Sequence, residues 1–299
     1  MSFFKNIAIV GASGTVGRII LDGLIASSKF NITAISRQDS SAVFPTGVTV
    51  RKTDFTDVDL LDAFKGQDVV ISALGAGGFT EQRKLVDAAL LAGVKHFLPS
   101  EFSASVEDET VLQLQPLFGQ KKAVIDYLRS KESAGLTWTG IATSGLFDWG
   151  LETGFLEFDI AKHTATIWDD GNKRFTLTNK KQLVDAVVSA LEHHQETRNR
   201  YIYVYSVETS QNEILASLEK KTGVKWAVTN TTTEEQIAEA GKLLSGGDFN
   251  GAFILVRATV YGNTARSRAD YTKEKDVANG ILGLETETVQ ATVDRVIKV

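Results

Sequence analysis

Three glycines at positions 11, 14 and 17, in the run IAIVGASGTVG, are spaced to bring backbone N–H groups up to a phosphate. A tight turn there needs a residue without Cβ, and a pyrophosphate needs amide donors within hydrogen-bond reach. The first turn of a following helix adds partial positive charge. Arg37, in Ser36-Arg37-Gln38, is the second group with chemistry to offer. At the end of the second strand of a nucleotide-binding sheet, a carboxylate accepts the ribose 2′-hydroxyl and repels a 2′-phosphate. A guanidinium instead pairs with that phosphate and lies over an adenine. Loop and arginine together predict a dinucleotide site, with NADP favoured over NAD. Asp54 and Phe55, after the third strand, fall at the adenine edge, where Asp54 either meets the base or caps the next helix.

Such residues act only if a scaffold aims them. The apolar stretch 7–10 reads as a buried strand, and 15–27 carries Val16, Ile19, Ile20 and Leu24 on one helical face. Further strands are expected over 32–36, 48–52, 69–73, 97–99 and 137–142, with helices over 58–65, 80–92 and 119–134. That alternation predicts an α/β fold built on a doubly wound parallel sheet. After Gly145 the rhythm changes. Segments 164–169 and 175–178, around Asp170-Gly171-Asn172, predict a hairpin. Helices are expected over 182–193, 210–222, 233–244 and 285–298, strands over 201–206 and 225–229, and exposed loops over 245–251 and 262–270. The expected division is a Rossmann domain over residues 1–148 with a return segment at about 170–206, and a smaller α+β substrate lobe over 149–169 and 207–299.

With 299 residues, 43% hydrophobic and 23% charged, the composition is that of an ordinary globule with one large core and a smaller one. The net charge of −5 gives no electrostatic case for nucleic acid or an anionic membrane. The absence of cysteine excludes disulfides, thiolate nucleophiles and cysteine metal sites. The amino terminus runs straight into the first strand, and no apolar stretch reaches membrane-spanning length, so a cytoplasmic monomer or homodimer acting on a small molecule is expected. His96, His163, His193 and His194 lack metal-ligand spacing; His193 and His194 face different sides of a helix and read as solvated. Tyr127 and Lys131 match a Tyr-x-x-x-Lys pattern, but in the last turn of their helix, far from the strand ends, and read as coincidence.

Several segments together resemble the isoflavone-reductase-like and NmrA-like branch of the atypical short-chain dehydrogenase/reductases. They are GASGTVG at 11–17, SRQ at 36–38, QRKLVDAALLAGVKHFLPSEF at 82–102, FGQKKAVIDYL at 118–128, GLTWTGI to SGLF across 135–147, and DDGNKRFTLTNKKQLVDAV at 169–187. The resemblance implies NADPH as cofactor. It places Gly11, Ser13, Gly14, Thr15 and Val16 at the pyrophosphate, Arg37 and Gln38 at the 2′-phosphate, and Leu74, Gly75 and Ala76 beneath the ribose. Pro99, Ser100, Glu101 and Phe102, with Ser144, Gly145 and Leu146, would flank the nicotinamide. The family's reductases place a lysine three residues after an aromatic, early in the helix between strands five and six. Phe118-Gly-Gln-Lys121 matches, with Lys122 as its neighbour. That lysine would hold the nicotinamide ribose and protonate or polarise a substrate oxygen, which requires desolvation to lower its pKa. The implied activity is hydride transfer to a small apolar, oxygenated or aromatic substrate, with Phe147, Trp149, Phe155, Phe158 and the 245–270 loops shaping the pocket. The alternative is an NADP(H)-binding regulatory or redox-sensor protein of the NmrA type, without turnover.

Overall fold

The computed structural model describes residues 4–264, 268–274 and 276–298. Its first half is a run of strand–helix units: β1 (Asn6–Val10), α1 (Thr15–Ser27), β2 (Asn31–Arg37), β3 (Thr49–Thr53), α2 (Asp57–Phe64), β4 (Val69–Ser72), α3 (Gln82–Leu91) and β5 (His96–Leu98). Then follow α4 (Glu109–Leu114), α5 (Gly119–Lys131), β6 (Thr137–Ala142), β7 (Gly145–Leu146), α6 (Phe147–Glu152), β8 (Phe158–Asp159), β9 (Thr164–Trp168) and β10 (Phe175–Thr178). The chain ends with α7 (Lys180–Glu192), α8 (His194–Thr197), β11 (Arg200–Tyr203), β12 (Val207–Thr209), α9 (Gln211–Thr222), β13 (Ala227–Thr231), α10 (Thr233–Ser245), α11 (Asn250–Tyr261) and α12 (Val289–Val296).

Seven strands form one parallel sheet in the order β11-β6-β5-β4-β1-β2-β3. The short-period alternation of the strands sends Ala8, Val10, Val70, Phe97 and Trp138 to one face and Ile7, Ile9, Ile71, Leu98 and Ile141 to the other. Both faces are therefore covered, as a parallel sheet requires. From β1 the chain builds outward to β2 and β3, then returns to β4 on the other side, so the β1/β4 boundary is the point where the winding reverses and a crevice opens at the carboxyl ends. Two three-stranded sheets, β12-β10-β7 and β13-β9-β8, carry a third core with Phe147, Phe158, Trp168 and Tyr261. Of the return segment at 170–206, α7 and β11 join the large layer while β10 joins a small sheet.

The hairpin expected across 164–178 does not form. β9 pairs with β13 and β8, and β10 with β12 and β7. The turn between them is instead tied to the start of α9, where Asn212 N donates to Gly171 O at 3.1 Å and Asn212 Nδ2 to Asp170 O at 2.9 Å. The last helix is shorter than expected because Thr288 caps it at Val289, while Glu287 turns back to take Arg295 at 2.7 Å. α4 and α11 were not expected; α11 begins inside the segment 245–251 read as a loop. Of the loop expected over 262–270, residues 265–267 lie outside the described residues, as do Met1, Ser2 and Phe3.

His194 is buried, contrary to the solvated reading, and so is His96 at the amino end of β5. Their rings meet edge to face with centroids 4.8 Å apart. His96 Nδ1 lies 2.8 Å and His194 Nε2 3.0 Å from Thr137 Oγ1. Burial, with the neighbouring His194 adding to it, holds His96 well below the ordinary imidazole range. The unfolded chain thus takes up a proton at a pH where the folded one does not, so stability is fully present above about pH 6.5 and is lost as pH falls below it. Thermal unfolding followed from pH 7.5 to 5.0 should show the midpoint declining below about pH 6.5, and His96→Gln should flatten that decline.

Candidate active site

The glycine loop is built by contacts that leave no room for side chains. Gly11 sits at φ +84°, and a Cβ there would lie 2.7 Å from Ala73 O. A Cβ on Gly17 would lie 2.1 Å from Gly11 O, so the first turns of α1 rest directly on the loop backbone. Gly14 differs: it caps α1, its N–H donates to Gly11 O at 3.0 Å, and a Cβ would meet only Gly11 O, at 3.4 Å. Ser13 and Gly14 are exposed beside it, and Thr15 and Val16 open the helix.

A groove of about 750 Å³ runs over the carboxyl ends of β1 to β4. It brings together Gly11, Ser13, Gly14, Arg37, Gln38, Phe55, Leu74 and Gly75 of the expected residues, with Asp39, Gly77 and Gly78. The Arg37 side chain is 76% exposed there, with Asp39 Oδ1 at 4.0 Å. Lys52, which the sequence reading passed over, holds the carbonyls of Arg37 and Ser40 and so shapes the turn that presents the guanidinium. Phe55 lines the groove at φ +62°. Asp54 lines the groove as well, and its Oδ1 accepts Thr56 N at 2.9 Å and the Thr56 hydroxyl at 2.7 Å, so it braces Thr56, which caps α2. Ala76 opens a short 3₁₀ turn over Ala76–Glu81.

The remaining expected residues gather next door, at the ends of β5 and β6. Ser100 N donates to Gln82 Oε1 at 2.8 Å and Ser100 Oγ to Leu74 O at 2.7 Å, which fixes the chain after Pro99 against the groove. Lys121, in the first turn of α5, points inward and is 4% exposed. Its Nζ donates to Glu101 O and Ser103 Oγ, both at 2.8 Å, and sits 4.9 Å from the ring centroids of Phe79 and Phe118. Burial pulls its pKa down to about 8, opposed by the Glu101 carboxylate. Lys122 points the other way, to Asp126 and, at 3.9 Å, Glu107. Ser103, absent from the sequence reading, also accepts the N–H groups of Thr143 and Ser144, each at 3.1 Å, so one residue joins the lysine to the segment Ser144, Gly145, Leu146. Only its place one residue beyond the LPSEF run hinted at it.

Beyond β7, Phe147 and Phe158 are fully buried core residues. Trp149 and Phe155 are half-buried and open a ladder of rings with centroid spacings of 5.2 Å to each other, 6.2 Å on to Phe253 and 5.8 Å to Phe249. α11 supplies Phe253, with Phe249 just before its first residue, and is fastened by Gln115 Nε2, which donates to Ala252 O at 2.8 Å. Tyr127 and Lys131 face α3 instead: the Tyr127 hydroxyl donates to Asp87 at 2.5 Å and Lys131 Nζ lies 4.8 Å over its ring. Among the described residues no cluster of His, Asp and Glu could hold a metal ion, and no helix is long and apolar enough to cross a membrane.

A parallel doubly wound sheet with a glycine cradle at its switch point defines the dinucleotide-binding class of fold. Within that class the chain belongs to the NmrA-like family, whose model matches residues 4–244. It is 35% identical over 297 residues to the oxidoreductase aprR of Aspergillus flavus, covering 98% of this chain and 99% of that one. It is 32% identical over 235 residues to the isoflavone reductase homolog IRL of Zea mays, covering 73% and 75%. Among solved structures, the leucoanthocyanidin reductase–NADPH complex of Vitis vinifera superposes with a TM-score of 0.77 at 16% identity over 97% of this chain and 99% of that one, which establishes a shared fold.

The two glycines differ in what a methyl group would meet. Gly17→Ala forces the helix off the Gly11 carbonyl and should destabilise by about 1–3 kcal/mol, as overpacking does. Gly14→Ala should change stability by less than about 0.5 kcal/mol. Urea unfolding of both variants checks this; equal losses would contradict the geometry.

Proposed function

We propose that the protein is an NADPH-dependent reductase that transfers hydride to a small, largely apolar, oxygenated or aromatic molecule. The observation that carries the reading is a desolvated lysine, Lys121, held on the chain that leaves β5, next to a groove in which Gly11 admits no Cβ. The groove fits a dinucleotide. Gly11, Ser13 and Gly14, with Thr15 and Val16 in the first helical turn, would hold the pyrophosphate through backbone N–H groups and the helix dipole. Arg37, with Gln38 beside it, would take the 2′-phosphate, Phe55 the adenine, and Leu74, Gly75 and Ala76 the ribose. Pro99, Ser100 and the segment Ser144, Gly145, Leu146 would bound the nicotinamide. On this reading residues 1–148 with about 170–206 serve the cofactor, and 149–169 with 207–299 the substrate.

A bound reduced nicotinamide supplies the hydride. The chain's own part is orientation and a proton. Lys121 Nζ, fixed by two acceptors on one side, has a third N–H to give to a substrate oxygen as charge develops there. The rings of Phe79 and Phe118 around it exclude water, which strengthens that interaction. The rings of Trp149, Phe155 and Phe253, tilted or edge-on to one another, offer an apolar surface suited to an aromatic substrate.

Arg37→Ala should weaken NADPH binding roughly ten- to hundredfold, the worth of one charge-assisted contact, and leave NADH nearly unchanged. Calorimetric titration with both nucleotides measures it; equal weakening would refute the 2′-phosphate assignment. Turnover is best sought by NADPH oxidation against a panel of enones, ketones and phenolic ethers. With a substrate in hand, Lys121→Met should lower kcat by about two to four orders of magnitude and Lys122→Ala should leave it nearly intact. Because the lysine must be protonated to donate and its pKa lies at about 8, kcat should fall as pH rises through that value. Tight NADPH binding with no turnover across the panel would favour the regulatory alternative instead.

A further inference from the structure

Glu101 is the least explained charge in the molecule. It follows β5 by three residues and is 1% exposed. Its carbonyl accepts from Lys121 Nζ, while its carboxyl is held by Tyr201: Oε2 accepts from the Tyr201 hydroxyl at 2.8 Å, and Oε1 is buried with no partner among the described residues. The Tyr201 hydroxyl accepts Val106 N–H at 3.1 Å, so its one proton is committed to Glu101. Tyr201 therefore presents a donor to the carboxyl and fixes its orientation. A carboxyl kept only for structure would be better served here by an amide or an apolar group, because a buried oxygen left unsatisfied costs the full desolvation of that atom.

The surrounding charges leave one balance for it. On α5, Lys121 Nζ sits on the backbone carbonyl of Glu101 at 2.8 Å, and Lys122 turns out to Asp126. From the segment before α4, Glu107 is matched by Arg129 at 3.1 Å. From β11 and the turn Tyr271–Lys273, Tyr201, Tyr203 and Tyr271 contribute neutral phenols, all held in that form by burial. Lys121 and Glu101 thus form the uncompensated pair inside this wall, and each raises the cost of losing the other's charge. Burial pushes the Glu101 carboxyl up to about 7, with Lys121 and the Tyr201 hydrogen bond drawing it back.

We propose that Glu101 is a positioning residue for Lys121: its carboxylate, oriented by Tyr201, keeps the lysine in the ammonium form in a pocket too dry to sustain one alone. Glu101 does not touch substrate; it sets how much of Lys121 carries a transferable proton, and Tyr201 sets how well Glu101 does so. This rests on Lys121 being the proton donor.

The lysine's charge can be read without a substrate. In protein labelled with ¹³C at lysine Cε, the Lys121 resonance is assigned by its absence in Lys121→Met and titrated from pH 6 to 10. Its midpoint in the unaltered protein should lie at about 8. Glu101→Gln should lower that midpoint by at least about one unit, the size expected for losing an adjacent opposite charge. Tyr201→Phe should lower it by less, in the same direction, and should be the deciding variant if Glu101→Gln does not fold. A midpoint unmoved in the folded variants overturns the proposal. Failure of the underlying reading would look different: the midpoint would move as described, yet Lys121→Met would keep full turnover.

Discussion

The contact between Gly17 and the Gly11 carbonyl is the constraint on which the rest is hung. It lets α1 approach β1 with backbone against backbone, and that distance fixes where the helix's free N–H groups point. A single methyl group there would push the helix outward and tilt its dipole away from the groove. The same loop presses on Ala73 at the end of β4 through Gly11, so at the reversal of winding between β1 and β4 a glycine contact adds to the ladder and packing that join the two strands. Everything on the rim inherits its position from that arrangement: Arg37 through β2, Leu74 through β4, and, by the Ser100 hydroxyl on Leu74 O, the end of β5.

Ser103 does for the second half of the site what the glycines do for the first. One hydroxyl and one carbonyl of Ser103 join the helix carrying Lys121 to the turn after β6, the strand that follows it. The lysine's direction is set by this network and by the rings of Phe79 and Phe118, not by the helix alone. Adjacent residues lie about 100° apart on a helix, so a lysine pair at 121 and 122 must divide between an interior and an exterior role. Burial on one side and Asp126 on the other settle which is which.

The parts of this fold legible in the sequence are those decided locally. The strand-like segments read from the sequence match all seven strands of the large sheet to within a residue or two, except at β11, which ends at Tyr203 rather than Ser206. The place of the glycine loop and of Arg37 on one groove was readable because each directly follows a strand in sequence. Long-range choices were not. Nothing in 164–178 shows that each strand prefers a partner elsewhere, since that depends on Asn212 capturing the turn. α11 escaped because NGAFILVRATVY is apolar almost all round, and a helix buried on several sides has no polar face to betray its period. The two buried histidines were missed because their partners, Thr137 and each other, come from three different elements. Glu101 was visible as a residue of the LPSEF run, but its hydroxyl partner lies 100 residues away.

That separation also bears on how the chain is made. β11 is the outermost strand of the sheet on the β6 side, yet it is synthesised only after the whole of β7 to α8 has emerged. Until then β6 is an open edge, able to pair with any extended segment nearby. Closing it requires a long, entropically costly loop, a slow kind of step in a chain that otherwise grows by neighbouring crossovers. The nascent chain can lay down β1 to β6 as they appear, but the pocket behind Glu101 stays wet until Tyr201 arrives to seal it. In a chain interrupted before β11, Glu101 would keep its place in sequence and lose the hydroxyl that now holds its carboxyl.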